Sequence, residues 1–317
     1  MGRYKQKPLT FESLKTVPIE ARGGKVRVED FGTPHLKGDV RSFIDSLPKI
    51  LAGDSFRAVV ASLRRARAEK RAILWGLGGH VVKVGISPIL LDLMRRGYIS
   101  AFVMNGAATI HDFEIGIVGS TSEDVEAVLP DGRFGAAEET GREMNDAIVN
   151  GVRDGLGMGE ALGRRILEIA RPEYAPYCLQ YEAYRASVPV TVHVAIGTDT
   201  PHTHPQAVGA AIGAATHQDF QLLCSIVREM DQGGVYLNVG SAVVLPEVFL
   251  KAVSVVRNLG YPLGNFTTAN FDFLQHYRPN ANVVQRPHAK SGGKGYAITG
   301  HHELMIPLLA AALAEDE

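Results

Sequence analysis

The chain has 317 residues with 45% hydrophobic side chains, a composition that excludes disorder over most of its length. Its 33 Lys and Arg residues nearly balance 34 Asp and Glu residues, and because proteins that bind nucleic acid or acidic membranes usually carry a basic excess, the charge predicts neither partner. Two cysteines without metal-ligand spacing, and a start without an apolar leader, predict a cytoplasmic protein without disulfides.

The predicted elements begin with an extended, Lys- and Pro-containing N-terminal arm over residues 1–41. Helical spacing of apolar residues predicts a helical lead-in over residues 42–70. Strands and helices then alternate over residues 71–317, and residues 1–317 are predicted to form a single α/β domain. Within this core, Ser120-Thr121-Ser122-Glu123 has the spacing of a capping box and predicts the start of a short helix.

About six short apolar segments are predicted to be strands. They lie near residues 72–75, 99–104, 190–196, 235–239, 266–269 and 282–285. Apolar strands without a polar face are typical of a parallel sheet that is covered on both sides. The sequence therefore predicts an α/β fold with a doubly wound, mainly parallel sheet of about six strands and helices on both faces.

Four turns that follow predicted strands consist largely of small residues. They are Gly76-Leu77-Gly78-Gly79-His80, Asn105-Gly106-Ala107-Ala108, Gly197-Thr198-Asp199-Thr200 and Gly240-Ser241-Ala242-Val243. Small residues let phosphates approach backbone N–H groups at helix N-termini, so the pattern favours a nucleotide or a similar anion. The alternative is a set of tight turns without a ligand. A P-loop NTPase is not indicated, because no GxxxxGK[ST] motif occurs.

The motif His111-Asp112-Phe113-Glu114 begins the helix after the second of these turns. An imidazole and two carboxylates at the end of a strand have the chemistry to orient a ribose, polarise a carbonyl or move a proton. The alternative is that the acidic residues only stabilise the N-terminus of the helix.

Histidines form two further motifs. His202 and His204 follow Asp199 in a loop, where they are candidates for substrate binding, and alternating histidines are only a weak metal signature. No metal site is predicted. The motif His301-His302-Glu303 does not make a zinc-protease helix, because Ile306 stands where the second His of HExxH is needed.

Two lysines lie in a glycine-rich segment near the C-terminus. Lys290 and Lys294 flank Ser291-Gly292-Gly293, where an amine is a candidate for a phosphate contact or a nucleophile. The alternative is a solvent-exposed loop.

In order and spacing, residues 70–310 resemble deoxyhypusine synthase and its bacterial relatives, members of a Rossmann-like NAD-binding superfamily. The stretch 103–108 resembles the family's Thr-Thr-Ala-Gly-Gly turn, and His111-Asp112 stands at its Glu-Asp pair. Thr198-Asp199 resembles the Thr-Asp before the amine site, and residues 240–244 resemble the triple-glycine turn. Residues 268–272 are similar to Thr-Ala-Gln-Glu-Phe-Asp with one residue missing.

The resemblance implies NAD as cofactor, a homotetramer or dimer, and oxidation of an amine to an imine. The cofactor-binding residues that it and the turns indicate are Gly78, Gly79, His80, Asn105, Gly106, Ala107, Gly240, Ser241, Thr268, Ala269, Asn270 and Asp272. The candidate catalytic residues are His111, Asp112, Glu247, Lys290 and Lys294. The candidate substrate-binding residues are Glu114, Asp199, His202 and His204.

The sequence departs from that family at two places. The family's catalytic His after the triple-glycine turn is replaced by Leu245-Pro246-Glu247, which leaves Glu247 as the available base, and the family's Trp-Gly-Lys is absent. The stretch 105–114 is also similar to the Asn-Ala-x-x-x-His-Asp-x-Glu pattern of the NAD-dependent ornithine cyclodeaminase domain of arginine-catabolic enzymes.

The predicted function is an NAD-dependent enzyme that acts on a small amine or amino acid through hydride transfer and an imine intermediate. One alternative is a homospermidine or deoxyhypusine synthase-type aminobutyl transferase of polyamine metabolism. The other is a non-catalytic NAD-binding or scaffold protein.

Overall fold

The computed structural model describes residues 3–314, whose strands form one parallel sheet. The strands are β1 Ile73–Leu77, β2 Ala101–Asn105, β3 Val190–His193, β4 Val235–Val239, β5 Thr267–Asp272 and β6 Lys294–Thr299. Their order in the sheet is β3-β2-β1-β4-β5-β6. The register pairs Leu74 of β1 with Ala101 of β2 and with Tyr236 of β4.

Helices connect the strands and cover both faces of the sheet. They are α1 Val40–Ser46, α2 Leu51–Ala68, α3 Gly79–Lys83, α4 Ser87–Arg95, α5 Gly106–Val118, α6 Val125–Val128, α7 Glu138–Arg153, α8 Met158–Ile169, α9 Leu179–Arg185, α10 Gly209–Arg228, α11 Val244–Asn258, α12 Tyr277–Pro279 and α13 His302–Ala314. The predicted doubly wound α/β fold is confirmed.

The core has one apolar layer on each side of the sheet. Trp75 of β1 points into the layer formed with α2, α4, α5 and α13, whereas Leu74 points into the layer formed with α10 and α11. Every residue of β1 is buried, because helices cover both faces of the central strands. None of the helices within residues 3–314 has both the length and the apolar character needed to cross a membrane.

The sixth strand lies elsewhere than the sequence predicted. The predicted strand at 282–285 is wrong, because Asn280–Gln285 forms a π-helix that buries Val283. The strand is β6, whose sequence KGYAIT contains Lys and Gly and whose residues are mostly half-buried or exposed. Such a polar edge strand lacks the apolar run that identifies buried strands.

The predicted capping box is also wrong, because the short helix α6 begins later. The carboxylate of Asp124 caps α6 by accepting a hydrogen bond from the Ala127 N–H at 3.3 Å. Thr121 is therefore available for side-chain contacts with α5.

Residues 3–29 of the predicted N-terminal arm are exposed. The arm joins the body through backbone bonds from the Thr33 N–H to the Ser46 carbonyl and from the Lys49 N–H to the Asp30 carbonyl, each 2.9 Å long. The predicted domain boundaries stay a prediction, and residues 1–2 and 315–317 of that assignment lie outside the described residues.

Candidate functional site

The strand order reverses direction between β1 and β4, and the turns after these strands touch. A Cβ placed on Gly78, after β1, would collide with the carbonyl of Gly240, after β4. Open α/β sheets bind ligands in the crevice outside the carboxyl ends of the strands at such a switch point. Gly78 and Gly240 therefore bring two of the predicted cofactor-binding turns together.

The start of α5 lies beside this crevice. The Asn105 side chain caps α5 by accepting a hydrogen bond from the Ala108 N–H at 2.9 Å. The carboxylate of Asp199, from the loop after β3, lies against Gly106, where a Cβ would collide with it. On the other side, a Cβ on Gly79 would lie 2.8 Å from the Ala107 Cβ. The loops after β1, β2 and β3 thus converge at the N-terminus of α5.

A cavity of about 220 Å³ opens at this point. It is lined by Lys83, Ala107, Ile110, His111, Glu114, Ser122, Glu123, Val125, Phe134, Thr198, Asp199 and Thr200. Three carboxylates against one ammonium give the lining an excess of negative charge. The cavity therefore suits a small cation.

Asp199 is the least satisfied of these carboxylates. Its Oδ2 atom is buried and has no hydrogen-bond partner among residues 3–314. Burial raises the pKa of Asp199 to about 6. A buried acceptor without a partner is costly, so an N–H donor from a ligand would stabilise it.

His111 and Glu114 lie one turn apart on α5 and share a threonine. His111 Nδ1 lies 2.7 Å from Thr121 Oγ1, and the Thr121 hydroxyl donates to Glu114 Oε2. The Thr140 hydroxyl donates to Glu114 Oε1 at 3.1 Å. Burial lowers the pKa of His111, with a further lowering by the Lys83 ammonium, and burial raises the pKa of Glu114. The imidazole is therefore neutral near neutral pH.

Asp112, one of the predicted catalytic residues, does not line the cavity. The fully buried carboxylate accepts hydrogen bonds from the N–H groups of Leu179 and Gln180, at 2.6 and 2.8 Å, and from the Cys178 thiol. Asp112 belongs to α5, so its carboxylate caps the N-terminus of α9 and connects the two helices. Its burial raises its pKa.

Side-chain amides connect the carboxyl ends of β4 and β5. The Asn238 amide donates to the Ser241 carbonyl at 2.9 Å and to Asn270 Oδ1 at 2.7 Å. The Asn270 amide donates in turn to Gln275 at 2.8 Å. Asn238 Oδ1 is buried and finds no partner in the described part of the chain. Of the predicted cofactor residues, Ser241 and Asn270 therefore lie together near the crevice.

His302 was not among the predicted site residues, but it lies at the same edge of the sheet. The fully buried imidazole contacts the Phe271 carbonyl through Nε2 at 3.2 Å, and its Nε2 is 4.0 Å from Asp272. Gly240 packs against the ring, and the His80 ring lies 5.7 Å away. His302 Nδ1 has no partner within the described residues. Only its position after β6, which the sequence did not reveal, would have indicated this placement.

Thr268 and Ala269 lie in the first half of β5 and not in a turn at its end. The Thr268 hydroxyl donates to the Val283 carbonyl at 2.6 Å and lies 2.8 Å from His288 Nε2. Both residues are fully buried. The structure thus separates them from the predicted cofactor-binding turns.

Glu247 is a partly exposed residue of α11 that forms ion pairs. Lys251 donates to its carboxylate, Arg278 lies 3.2 Å away, and the Asn282 amide donates at 2.9 Å. The bond from Lys251 lowers the pKa of Glu247. Glu247 does not line the cavity that contains His111.

Lys290 and Lys294 lie at the amino ends of the strands. Lys294 begins β6 and pairs with Thr267, the first residue of β5. Lys290 lines a cavity with Gly264, which precedes β5. In a parallel sheet, the carboxyl ends of all strands lie on the side opposite to their amino ends. His111 follows the carboxyl end of β2, so neither lysine of this chain lies near it.

His202 and His204 point to different partners. His202 Nδ1 accepts a weak contact from the Gly197 N–H at 3.4 Å, whereas His204 Nε2 lies 3.3 Å from Glu138. Burial lowers the pKa of His202. Across residues 3–314, no group of three or more His, Cys, Asp or Glu side chains is placed to hold a metal ion.

No protein-family model matches the sequence, and no curated protein is significantly similar to it. Among solved structures, the chain is similar to a conserved LOR/SDH protein from Methanococcus maripaludis, with a TM-score of 0.50 and 15% identity over 84% of this chain and 70% of that chain. At this identity the likeness shows a shared fold.

Two other solved structures are similar to the chain with lower scores. AgrE in its ternary complex with ornithine and NAD⁺ is 18% identical over 81% of this chain, with a TM-score of 0.47. A protein described as a deoxyhypusine synthase from Entamoeba histolytica is 10% identical over 87% of this chain and 93% of its own, with a TM-score of 0.49. This chain spans about a third of the length of AgrE, since it covers 32% of that chain.

Proposed function

We propose that the protein is an NAD-dependent enzyme that oxidises a small amine or amino acid to an imine. The observation that carries the proposal is the acidic cavity beside the switch point, which is lined by Asp199, whose Oδ2 atom is buried and has no partner within residues 3–314. A substrate ammonium or amine would supply the missing donor. The resemblance of the sequence to deoxyhypusine synthase supports the same chemistry.

The residues at the crevice fit a dinucleotide. Gly78 and Gly240 have no side chains of their own, and their backbones lie in close contact after β1 and β4. Asn238 Oδ1 and His302 Nδ1 are buried polar atoms without partners there, within residues 3–314, and such atoms typically bind polar ligands or water. The turns that contain Gly78 and Ser241 would hold NAD, which accepts a hydride when bound.

Three side chains that line the cavity would act on the substrate. Asp199 would bind the cationic nitrogen, and its position against Gly106 fixes the carboxylate at the N-terminus of α5. His111 would take a proton from that nitrogen, because its ring is neutral near neutral pH. Glu114 would complement the charge that the imidazole then carries.

The aminobutyl-transferase alternative has less support, because it needs a lysine near the substrate. Lys290 and Lys294 lie at the amino ends of the strands, on the side of the sheet opposite to the cavity. The homo-oligomer and the cytoplasmic location stay predictions.

Incubation of the full chain with NAD and one amine at a time tests the proposal. Ornithine, putrescine, spermidine and lysine are suitable amines, with consumption followed by mass spectrometry and the reduced nicotinamide by its absorbance. We expect one of them to be consumed with reduction of the nicotinamide. NAD binding without consumption of any of these amines would instead favour the scaffold alternative.

A further inference from the structure

The loop between α5 and α6 contributes a residue that the proposed mechanism has not used. Thr121 lies between His111 and Glu114, with its Oγ1 in contact with both side chains. The two residues also approach directly, since His111 Nδ1 is 3.9 Å from Glu114 Oε2. Thr140, from the first turn of α7, closes the group by donating to the other carboxylate oxygen at 3.1 Å.

The count of protons in this group fixes the state of the imidazole. An ionised carboxylate only accepts hydrogen bonds, and a threonine hydroxyl has one proton. With Glu114 ionised, the proton of Thr121 is therefore donated to Glu114. The Thr121 oxygen can then only accept from His111, so Nδ1 must carry the proton. In a neutral imidazole, the other nitrogen is then an acceptor. His111 Nε2 therefore has a free lone pair.

The acceptor side of the ring faces the switch point. His111 Cδ2, which is bonded to Nε2, would lie 3.3 Å from a Cβ on Gly79, the first residue of α3. The ring also lines the cavity that Asp199 lines. Nε2, which is bonded to Cδ2, is therefore on the part of the ring near the turn after β1, where the proposed cofactor would lie.

We propose that Thr121 is a positioning residue that holds His111 in the Nδ1–H tautomer, so that Nε2 serves as the base for the substrate ammonium. In the step, the N–H bond of the ammonium breaks and an Nε2–H bond forms, while the nitrogen keeps its electron pair as a free amine. Glu114 stabilises the resulting imidazolium through Thr121. The identity of the proton donor rests on the proposed function, whereas the tautomer does not.

The charged groups around the ring come from four segments. They are Lys83 of α3, Glu114 of α5 itself, Glu123 of the following loop and Asp199 of the loop after β3. Only Glu114 is connected to the ring through a hydroxyl group. Removal of that hydroxyl should therefore change which nitrogen of the His111 ring is protonated, without changing the charged groups around the ring.

Nitrogen-15 NMR of histidine side chains in the full-length protein tests the tautomer without substrate or NAD. We expect the protonated nitrogen of His111 to be Nδ1, with the signal assigned by its loss in His111→Gln. His204 is an internal reference, because its Nδ1 accepts from the Gln206 N–H at 3.2 Å and its proton must be on Nε2. A wild-type His111 with its proton on Nε2 would overturn the proposal.

Two substitutions of the half-exposed Thr121 separate the hydroxyl from the shape of the side chain. Thr121→Val keeps the shape and should move the His111 proton to Nε2 and lower the His111 pKa in an NMR titration. Thr121→Ser should keep the wild-type tautomer and pKa. If Thr121→Val leaves both unchanged, Thr121 does not position the ring.

Turnover of the amine found in the screen gives the second readout. In Thr121→Val we expect kcat to fall by up to about 100-fold while KM stays within about twofold, because proton transfer and not binding is impaired. Thr121→Ser should restore kcat. A loss confined to KM would contradict the proposed base, whereas absence of turnover in the wild type would count against the proposed function and leave the NMR result to decide the role of Thr121.

Discussion

Asp199 is the residue on which the proposed substrate class depends. Its carboxylate is held against Gly106 by the fold and retains one buried oxygen without a partner among the described residues. Burial raises its pKa to about 6. The side chain is therefore ionised at neutral pH, where it can bind a cation, and it becomes neutral as the pH falls.

Asp199→Asn should raise KM for the amine by about 10- to 100-fold, because a hydrogen bond to a charged group contributes about 1.5–3 kcal/mol. In the wild type, kcat/KM should fall as the pH drops below about 6, since the carboxyl group takes up a proton there. The variant should lack this dependence on Asp199. Steady-state kinetics between about pH 5 and about pH 8, a range that brackets the shifted pKa of Asp199, measure both effects.

Asp92→Asn is the matched control for that substitution. Asp92 is an exposed carboxylate of α4 that pairs with Arg96 at 3.2 Å. Its replacement should leave KM and its pH dependence unchanged. If Asp199→Asn behaves like Asp92→Asn, the amine is not held by Asp199.

The sequence indicated the residue types of the site better than their partners. His111, Glu114 and Asp199 line one cavity as expected from neighbouring strand ends. Asp112 is adjacent to His111 in sequence but lies on another side of α5, where its carboxylate caps α9. Thr121 was assigned to a capping box because its contacts with α5 depend on the path of the loop, which local spacing does not determine.

At the scale of elements, the junction of α5 and α9 makes a stability prediction. Asp112→Ala removes the acceptor for the buried N–H groups of Leu179 and Gln180. We expect a loss of about 3 kcal/mol in the free energy of unfolding, because each buried unsatisfied donor costs about 1–3 kcal/mol. Denaturant unfolding measures this loss.

Asp124→Ala provides the comparison, because Asp124 caps the short helix α6, none of whose residues is buried. Its loss should cost about 1 kcal/mol or less. Equal losses for the two variants would show that burial of the Asp112 contacts does not matter to stability.

Prediction of the elements succeeded where burial leaves a pattern in the sequence. The apolar runs of β1, β2 and β4 lie in the covered centre of the sheet. The sheet edge does not require such a run, so β6 could not be recognised. Val283 and Val284 suggested a strand, but they belong to a π-helix that packs against β5.

For the whole molecule, the sheet order determines which turns can form a site. Parallel strands alternating with helices follow from the sequence, but the order β3-β2-β1-β4-β5-β6 does not, because it depends on packing between distant segments. This order places the turns that contain Gly78 and Gly240 in contact. Lys290 and Lys294 lie at the amino ends of the strands, away from these turns. The cofactor proposal therefore depends on the crevice between β1 and β4.

Calorimetric titration of the nucleotide-free protein with NAD tests that claim most directly. The informative variant is Ala242→Glu, which puts a negative charge on a half-buried residue of the turn after β4. Ala186→Glu makes the same change at an exposed residue before β3, at the opposite edge of the sheet. We expect the wild type and Ala186→Glu to bind NAD equally and Ala242→Glu to bind at least about tenfold more weakly, because like charges repel. Absence of binding by the wild type, or equal binding by both variants, would contradict a dinucleotide site at the switch point.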